Sequence, residues 1–193
     1  MNHFFAYLAR MRYIRRWGLM RSAIPENDAE HTLQVAAIAH ALGTIRKEIF
    51  GEDCDAEHAA ALALYHDASE VFTGDMPTPV KYFDDTLRDA YGKIETMARE
   101  ELLETLPEEL RPAYRHYIVD METDPLWPLA KAADTLSAYL KCIEEEAAGN
   151  GEFREAGRTI EAKLRAKHMK EVDWFLDHFA ESFRMTLDEM KKR

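Results

Sequence analysis

The chain has 193 residues, a length that suits one domain with a sizeable core, and 47% of the residues are hydrophobic. Its net charge of −11 argues against a polymeric nucleic acid as partner, but a small phosphorylated metabolite is compatible, because a metal ion and a few basic side chains can reverse the local charge. Cys54 and Cys142 are expected to be reduced core thiols of a cytoplasmic protein, and we expect neither a secretory leader nor a membrane span.

The spacing of the apolar residues predicts helices almost throughout, since no segment alternates in the manner of a β-strand. A first helix is expected to end near Trp17. Asn27 is expected to cap a second helix, which Gly43 would end. A third helix is predicted over residues 55–72, where the sequence is mostly apolar.

The most irregular stretch, residues 73–81, contains two prolines and a glycine and is predicted to be a functional loop without regular structure. A long charged helix is predicted over about residues 85–106, with a short helix after it. Asp124 is expected to cap a further helix that has Pro125 at its first position. Two or three amphipathic helices are predicted from Glu152 onwards.

The adjacent residues His66 and Asp67 lie in the apolar third helix, where burial of both groups is costly unless something pairs with them. A divalent metal ion would do so, and His31 and Asp134 offer two further ligands on other apolar helices. Two His and two Asp side chains suit Mn, Co, Fe, Ni or Zn better than Ca. Glu70, one helical turn after His66, is close enough to handle a proton.

Each of these residues has an ordinary surface or core explanation when it is taken alone. Their order indicates a shared ion: a His, a His-Asp pair some 35 residues later and a distant Asp, all on helices. The run Glu144–Glu146 is expected to be a solvated helix end. The other histidines lack a partner pattern and are assigned surface or core positions: His3, His40, His58, His116, His168 and His178.

The chain resembles the HD superfamily of metal-dependent phosphohydrolases and, more closely, the bacterial 5′-deoxynucleotidases of the YfbR-like family. The likeness extends over almost the whole chain, with a departure at Gly18, where proline is expected. The resemblance implies an all-α, HD-domain helical bundle with a single domain over residues 1–193. The segments that carry it are 16–17, 29–36, 65–71, 73–83, 106–111, 133–142 and 147–150.

The resemblance implies a phosphoric monoester hydrolase that converts deoxyribonucleoside 5′-monophosphates to deoxyribonucleosides and phosphate. It implies a homodimer that uses Co²⁺ or Mn²⁺, and it makes Glu70 and Asp75 the acid/base candidates. Arg16 would contact the phosphate and Trp17 the sugar. The implied metal ligands are His31, His66, Asp67 and Asp134. The implied substrate-binding residues are Arg16, Trp17, His66, Asp75, Met76, Pro77 and Thr78.

Phosphate monoesters hydrolyse very slowly without a catalyst, and enzymes accelerate the reaction by up to ~10²¹-fold. A metal ion can lower the pKa of bound water toward ~7, so we expect this water to attack phosphorus while Arg16 neutralises the phosphate oxygens. A rigid Trp17 ring against the 2′ carbon would exclude ribonucleotides. The alternatives are an HD phosphohydrolase acting on nucleoside triphosphates or cyclic nucleotides, and a non-catalytic metal-binding regulatory module. A ferritin-like di-iron bundle would require paired Glu-x-x-His motifs, which the sequence lacks.

Overall fold

The computed structural model describes residues 1–81 and 83–191, and over these ranges it contains helices and turns but no β-strand. The all-α prediction is therefore confirmed. Tyr82, which belongs to segment 73–83 of the family resemblance, lies outside the described residues. The α-helices are α1 (Phe4–Leu8), α2 (Asp28–Glu48), α3 (Ala56–Leu64), α4 (Glu70–Thr73), α5 (Thr78–Lys81), α6 (Asp85–Glu104), α7 (Arg111–Ile118), α8 (Trp127–Ala147), α9 (Arg154–Arg165), α10 (Lys170–Phe179) and α11 (Leu187–Met190).

The main core lies where α2, α3 and α8 pack against one another, with α9 and α10 covering them. A second cluster, centred on Phe4 and Leu102, joins α1, α6 and α7. The two long central helices, α2 and α8, have 21 residues each. Side chains along these packed helices are held in fixed positions relative to one another. None of the helices over the described residues has the length and apolarity required to cross a bilayer.

The start of α2 agrees with the sequence, whereas its end does not. Asn27 caps the helix by accepting the backbone N–H groups of Ala29 and Glu30. The helix then continues through Gly43 to Glu48, so the prediction that Gly43 ends it is wrong. A Cβ atom at Gly43 would lie 2.8 Å from the Cα of Ala56, which means that this glycine allows α3 to approach α2 closely.

The predicted first and third helices are both interrupted. The first ends at Leu8 and passes through a 3₁₀ turn at Ala9–Tyr13 into an extended segment, where the Arg16 N–H donates to the Glu26 carbonyl. The third ends at Leu64, and turns separate it from α4. His66 and Asp67 therefore lie in turns rather than within a helix.

Two further predictions fail in detail. Thr78–Lys81 form one helical turn within the stretch 73–81, which had been expected to be wholly irregular. Asp124 accepts the backbone N–H of Leu126 without capping α8, which begins at Trp127 with a different proline in its first turn. The carboxylate of Asp124 is thereby left available to side chains of other helices.

Candidate metal centre and active site

Four side chains from three elements converge at one point. His31 comes from the first turn of α2, and Asp134 comes from the middle of α8. His31 Nε2 lies 3.1 Å from Asp134 Oδ1 and 3.7 Å from Asp67 Oδ2. His66 Nε2 lies 2.9 Å from Asp67 Oδ2 and 3.7 Å from Asp134 Oδ1. The structure thus brings together the four residues that the sequence proposed as metal ligands.

The orientation of the His66 ring follows from its backbone partner. Its Nδ1 lies 2.7 Å from the Ala63 carbonyl, which can only accept, so Nδ1 carries the proton. In the neutral ring, Nε2 then carries a lone pair that can bind a metal ion. This nitrogen is buried and has no hydrogen-bond partner. A lone pair that faces two carboxylate oxygens is unfavourable unless a cation lies between them.

The charges around this point favour a cation. Burial opposes charge on His66, but Asp67 and Asp134 outweigh it and raise its pKa to about 10. Burial also opposes ionisation of Asp134, yet Lys131 and the two imidazoles hold its pKa well below the ordinary value. Two imidazoles and two ionised carboxylates are a donor set that suits divalent transition metals, so these residues fit such an ion.

A second acidic group adjoins the first through Asp67. Carboxylate oxygens of Asp28, Asp67 and Glu70 lie within 4.8 Å of one another. Both oxygens of Asp28 and Oε2 of Glu70 are buried without a hydrogen-bond partner. Burial and the neighbouring carboxylates raise the pKa of Glu70 to about 11, and burial together with Asp67 raises that of Asp28 to about 7.

Arg16 is a cation that lies beside both acidic groups. Its Nη1 lies 3.3 Å from Asp67 Oδ2 and 3.5 Å from Asp28 Oδ1. Burial opposes its charge, but Asp67, Asp134 and Asp75 raise the pKa of Arg16 above its ordinary range, so it remains a cation. Asp75 is close enough to interact with these charges, and burial raises its pKa.

A cavity of about 590 Å³ opens beside His66, Asp67 and Glu70, and it is walled by parts of α6, the turn at 119–123 and the start of α8. This volume suits a small organic ligand. Its walls do not include other residues that the sequence proposed for substrate binding: Arg16, Trp17, Asp75, Met76, Pro77 and Thr78. The structure places Asp75, Met76 and Pro77 in half-buried positions and Thr78 in an exposed one, at the start of α5.

Trp17 occupies an unusual backbone position and is held from two sides. Its backbone φ of 58° lies in the left-handed region, which residues other than glycine rarely adopt. Its Nε1 donates to Glu26 Oε2 at 2.8 Å, and its ring meets Phe153 edge-on at 5.2 Å between centroids. Such a constraint is typical of functional sites.

Sequence reasoning missed Glu26, which connects the tryptophan to the metal centre. Glu26 Oε1 lies 3.3 Å from His31 Nδ1 and 3.9 Å from Arg16 Nε. It also missed Asp28 and Lys131, whose Nζ donates to Asp134 Oδ2 at 2.6 Å. The signals were present but weak: Glu26 and Asp28 lie five and three residues before His31, and Lys131 lies three residues before Asp134.

The chain is similar to one protein family and to relatives named as its members. Residues 3–183 match the 5′-deoxynucleotidase YfbR-like family. A Vibrio cholerae serotype O1 protein named 5′-deoxynucleotidase is 50% identical over 190 residues, covering 98% of each chain. The Shigella boydii protein named 5′-deoxynucleotidase YfbR is 48% identical over 192 residues, covering 99% of this chain and 96% of its own.

Solved structures agree on the fold. A Listeria innocua HD-domain phosphohydrolase superposes with a TM-score of 0.81 at 24% identity, covering 98% of this chain and 92% of its own. A cyanophage S-2L HD phosphohydrolase, described as bound to dA and one catalytic Zn²⁺, superposes with a TM-score of 0.66 at 22% identity, covering 94% and 96%. The His and Asp residues converge in this fold, the family match extends over residues 3–183, and a relative is 50% identical over 98% of the chain; the chain therefore belongs to the YfbR-like 5′-deoxynucleotidase family.

Proposed function

We propose that this protein is a 5′-deoxynucleotidase that hydrolyses deoxyribonucleoside 5′-monophosphates to deoxyribonucleosides and phosphate. The observation that carries the proposal is the convergence of two imidazoles and two carboxylates in a chain of the YfbR-like family. The names of the Vibrio and Shigella relatives support the substrate class. The cyanophage protein, which is described as bound to dA and one catalytic Zn²⁺, supports a metal-dependent reaction that has a deoxynucleoside as its product.

We propose that the four convergent residues hold a divalent cation, either Co²⁺ or Mn²⁺. When bound, such an ion polarises the phosphoryl group and makes water a better nucleophile. The side chains that would hold it are His31, His66, Asp67 and Asp134.

Arg16 is proposed to bind the phosphate oxygens of the substrate. Its guanidinium stays charged, and its planar fork can contact two oxygens at once. Its partners, Asp67 and Asp28, lie 3.3 and 3.5 Å from Nη1, and Nε has no hydrogen-bond partner. The guanidinium therefore keeps N–H groups that can donate to a phosphate. The positive charge of Arg16 would offset the repulsion between the phosphate and these carboxylates.

Glu70 and Asp75 are proposed to move the protons of the reaction. Glu70 lines the cavity, lies beside Asp67 and has an oxygen without a partner, so it can donate to or accept from a substrate atom there. Asp75 interacts with the same charges from the loop that follows α4. One of them would orient the attacking water while the other protonates the leaving 5′-oxygen.

Trp17 is proposed to select the deoxy sugar. An apolar pocket rejects an added hydroxyl only weakly, by about 10²-fold, whereas a fixed ring against the 2′ carbon excludes it by contact. The hydrogen bond to Glu26 and the contact with Phe153 fix the ring in place. A Trp17→Ala protein should lose deoxy preference, and retention of the preference would refute this role.

The decisive experiment measures phosphate release from matched pairs such as dAMP and AMP, before and after chelation and with several metals restored. We expect loss of activity on chelation, restoration by Co²⁺ or Mn²⁺ and strong preference for dAMP. Equal rates on the pair would refute the substrate assignment. Nucleoside triphosphates and 3′,5′-cyclic nucleotides in the same assay test the other HD phosphohydrolase chemistries, and bound metal without any hydrolysis would indicate a regulatory module.

The proposal includes a homodimer in the cytoplasm. Several large apolar side chains are exposed on the single chain, including Leu33 on α2 and Met97 on α6, which are 69% and 71% exposed. Burial of such residues is what a self-association surface provides. Sedimentation of the purified protein tests this part, since a monomer at micromolar concentration would contradict it.

A further inference from the structure

A second group of two histidines and one aspartate lies outside the site described above. His58 comes from α3, His116 from α7 and Asp124 from the turn before α8. His58 Nε2 lies 2.8 Å from Asp124 Oδ2, and His116 Nε2 lies 2.7 Å from the same oxygen. The two Nε2 atoms are 3.3 Å apart. Three donor atoms from three separate elements therefore point at one place.

We propose that His58, His116 and Asp124 bind a second divalent transition-metal ion, of the zinc type, which is not part of the catalytic centre. Zinc binds imidazole nitrogen at about 2.0–2.1 Å, so two such ligands in a tetrahedral site lie about 3.3–3.4 Å apart. The observed separation of 3.3 Å matches this value. The carboxylate needs only a small outward movement to complete the set, because its oxygen now sits at hydrogen-bond distance from both rings.

The groups behind these ligands already orient them. The Asp124 carboxylate is fixed by its other oxygen, which accepts the Leu126 N–H at 2.7 Å. Tyr117 Oη lies 3.3 Å from His58 Nδ1 and can accept a hydrogen bond from the Nδ1–H group when Nε2 binds the ion. The hydroxyl therefore has the place that a supporting residue occupies around a metal-bound histidine.

Charge and access suit an ion with one open position. Burial opposes ionisation of Asp124, but hydrogen bonds from His58, the Leu126 N–H and His116 lower its pKa below the ordinary value. The carboxylate is therefore ionised at neutral pH. The His116 side chain is 42% exposed, so an ion can enter from solvent and keep water as a fourth ligand.

An ion at this site would stabilise one wall of the cavity beside His66, Asp67 and Glu70. The cavity that His66, Asp67 and Glu70 line is also lined by Val119, Asp120, Glu122 and Thr123, which lie between His116 and Asp124. A bound ion would join α3, α7 and the start of α8 and so hold this wall in place. We infer a structural ion whose removal loosens the cavity wall while leaving the catalytic ligands intact.

The test counts ions in protein whose catalytic centre has been weakened. The parent is the full chain carrying Asp134→Asn, stripped with chelator, dialysed against Zn²⁺ or Co²⁺ and assayed by elemental analysis. The parent should bind one more ion per chain than its His116→Gln derivative, in which a neutral polar side chain keeps a partner for Asp124. A His40→Ala derivative is the matched control, because His40 is an exposed histidine on α2, and it should bind as many ions as the parent.

Thermal unfolding and spectroscopy provide independent readouts of the same site. Zn²⁺ at about 100 times its Kd should raise the Tm of the parent by about 5–10 °C, and His116→Gln should abolish that increase. Co²⁺ should give the visible absorption of a four-coordinate site in the parent but not in His116→Gln. Equal ion counts and equal Tm shifts in the two proteins would overturn the proposal. The three residues would then stabilise the fold through their hydrogen bonds alone.

Discussion

Two glutamates of this protein, the buried Glu145 and the half-buried Glu70, have opposite surroundings. Glu145, near the end of α8, accepts hydrogen bonds from the N–H groups of Ala23 and Ile24, from Lys141 Nζ and from Asn150 Nδ2, at 2.5–3.0 Å. Burial opposes its charge, but these donors lower its pKa to about 2. Glu70, at the start of α4, has an oxygen without a partner, and burial with nearby carboxylates raises its pKa to about 11.

The difference separates a carboxylate that stabilises the fold from one that is available to a ligand. Glu145 connects the loop before α2 to α8. Both of its carboxylate oxygens already accept hydrogen bonds within the protein, so neither is available to a substrate. Burial and the neighbouring carboxylates make the ionised form of Glu70 unfavourable. A bound cation would stabilise that form, and a raised pKa of this kind is typical of groups that transfer protons. The two sites should respond to substitution in different measurements.

The largest expected effect is that of Asp67→Asn. Asp67 lies within 3.7 Å of both proposed imidazole ligands and 3.3 Å from Arg16, so the change weakens the cation site and the phosphate site together. We expect kcat/KM to fall by about 10⁴-fold or more, because a bound cation contributes several kcal/mol to the transition state. Phosphate release and metal content should be measured together. A variant that keeps both would contradict the proposed ligand set.

Glu70→Gln comes next. We expect kcat to fall by about 10²–10⁴-fold, the contribution typical of a group that transfers a proton. The free energy of unfolding at neutral pH should not fall and should rise, because Oε2 of Glu70 has no hydrogen bond to lose and the raised pKa of Glu70 means that its ionisation opposes folding. Kinetics at saturating substrate and urea denaturation on the same preparation check both parts. A stable variant with parental kcat would exclude Glu70 from the chemistry.

Glu145→Gln should give the reverse result. Replacing one partner of a buried ion pair leaves Lys141 uncompensated, so we expect a loss of about 3–5 kcal/mol in unfolding free energy, with kcat unchanged below the lowered Tm. Because the folded pKa of Glu145 is about 2 and the unfolded value about 4.3, its stabilisation is present above pH ~4.3 and is lost as the pH falls toward 2. Denaturation between pH 7 and pH 3 should show that the variant lacks this part of the acid sensitivity.

The sequence could predict groups that residue type and local spacing reveal. The convergence of His31 and Asp134, 103 residues apart, was expected because histidine and aspartate on apolar helices require a partner. The surroundings of Glu145 were not, because its partners in the loop before α2 lie more than 120 residues away. The prediction that Glu144–Glu146 form a solvated helix end is therefore wrong at Glu145, which is fully buried.

The same limit explains the errors in the fold and the missed cluster of histidines. A glycine in a helical pattern has the same local signal whether it ends the helix or admits a neighbour, and only the approach of Ala56 decides the case of Gly43. Nothing in the segments around His58 and His116 pairs with these histidines, so the sequence does not predict the cluster. Their shared partner, Asp124, is expected from the local pattern to cap a helix, but the fold brings His58 of α3 and His116 of α7 to its carboxylate instead.

The smallest effect expected in the catalytic region is that of Glu26→Gln, which tests whether support for the ligands extends beyond the four proposed residues. Glu26 Oε1 lies 3.3 Å from His31 Nδ1, and Oε2 accepts from Trp17 Nε1, so a neutral amide keeps the shape but loses the charge that orients the imidazole. Loss of such a partner typically reduces metal affinity or activity by about 10–100-fold. Metal titration followed by phosphate release at saturating Co²⁺ or Mn²⁺ should therefore show weaker binding with most of kcat recovered. If kcat stays low when the metal saturates, Glu26 acts on the substrate through Trp17 or Arg16 instead of on the metal through His31.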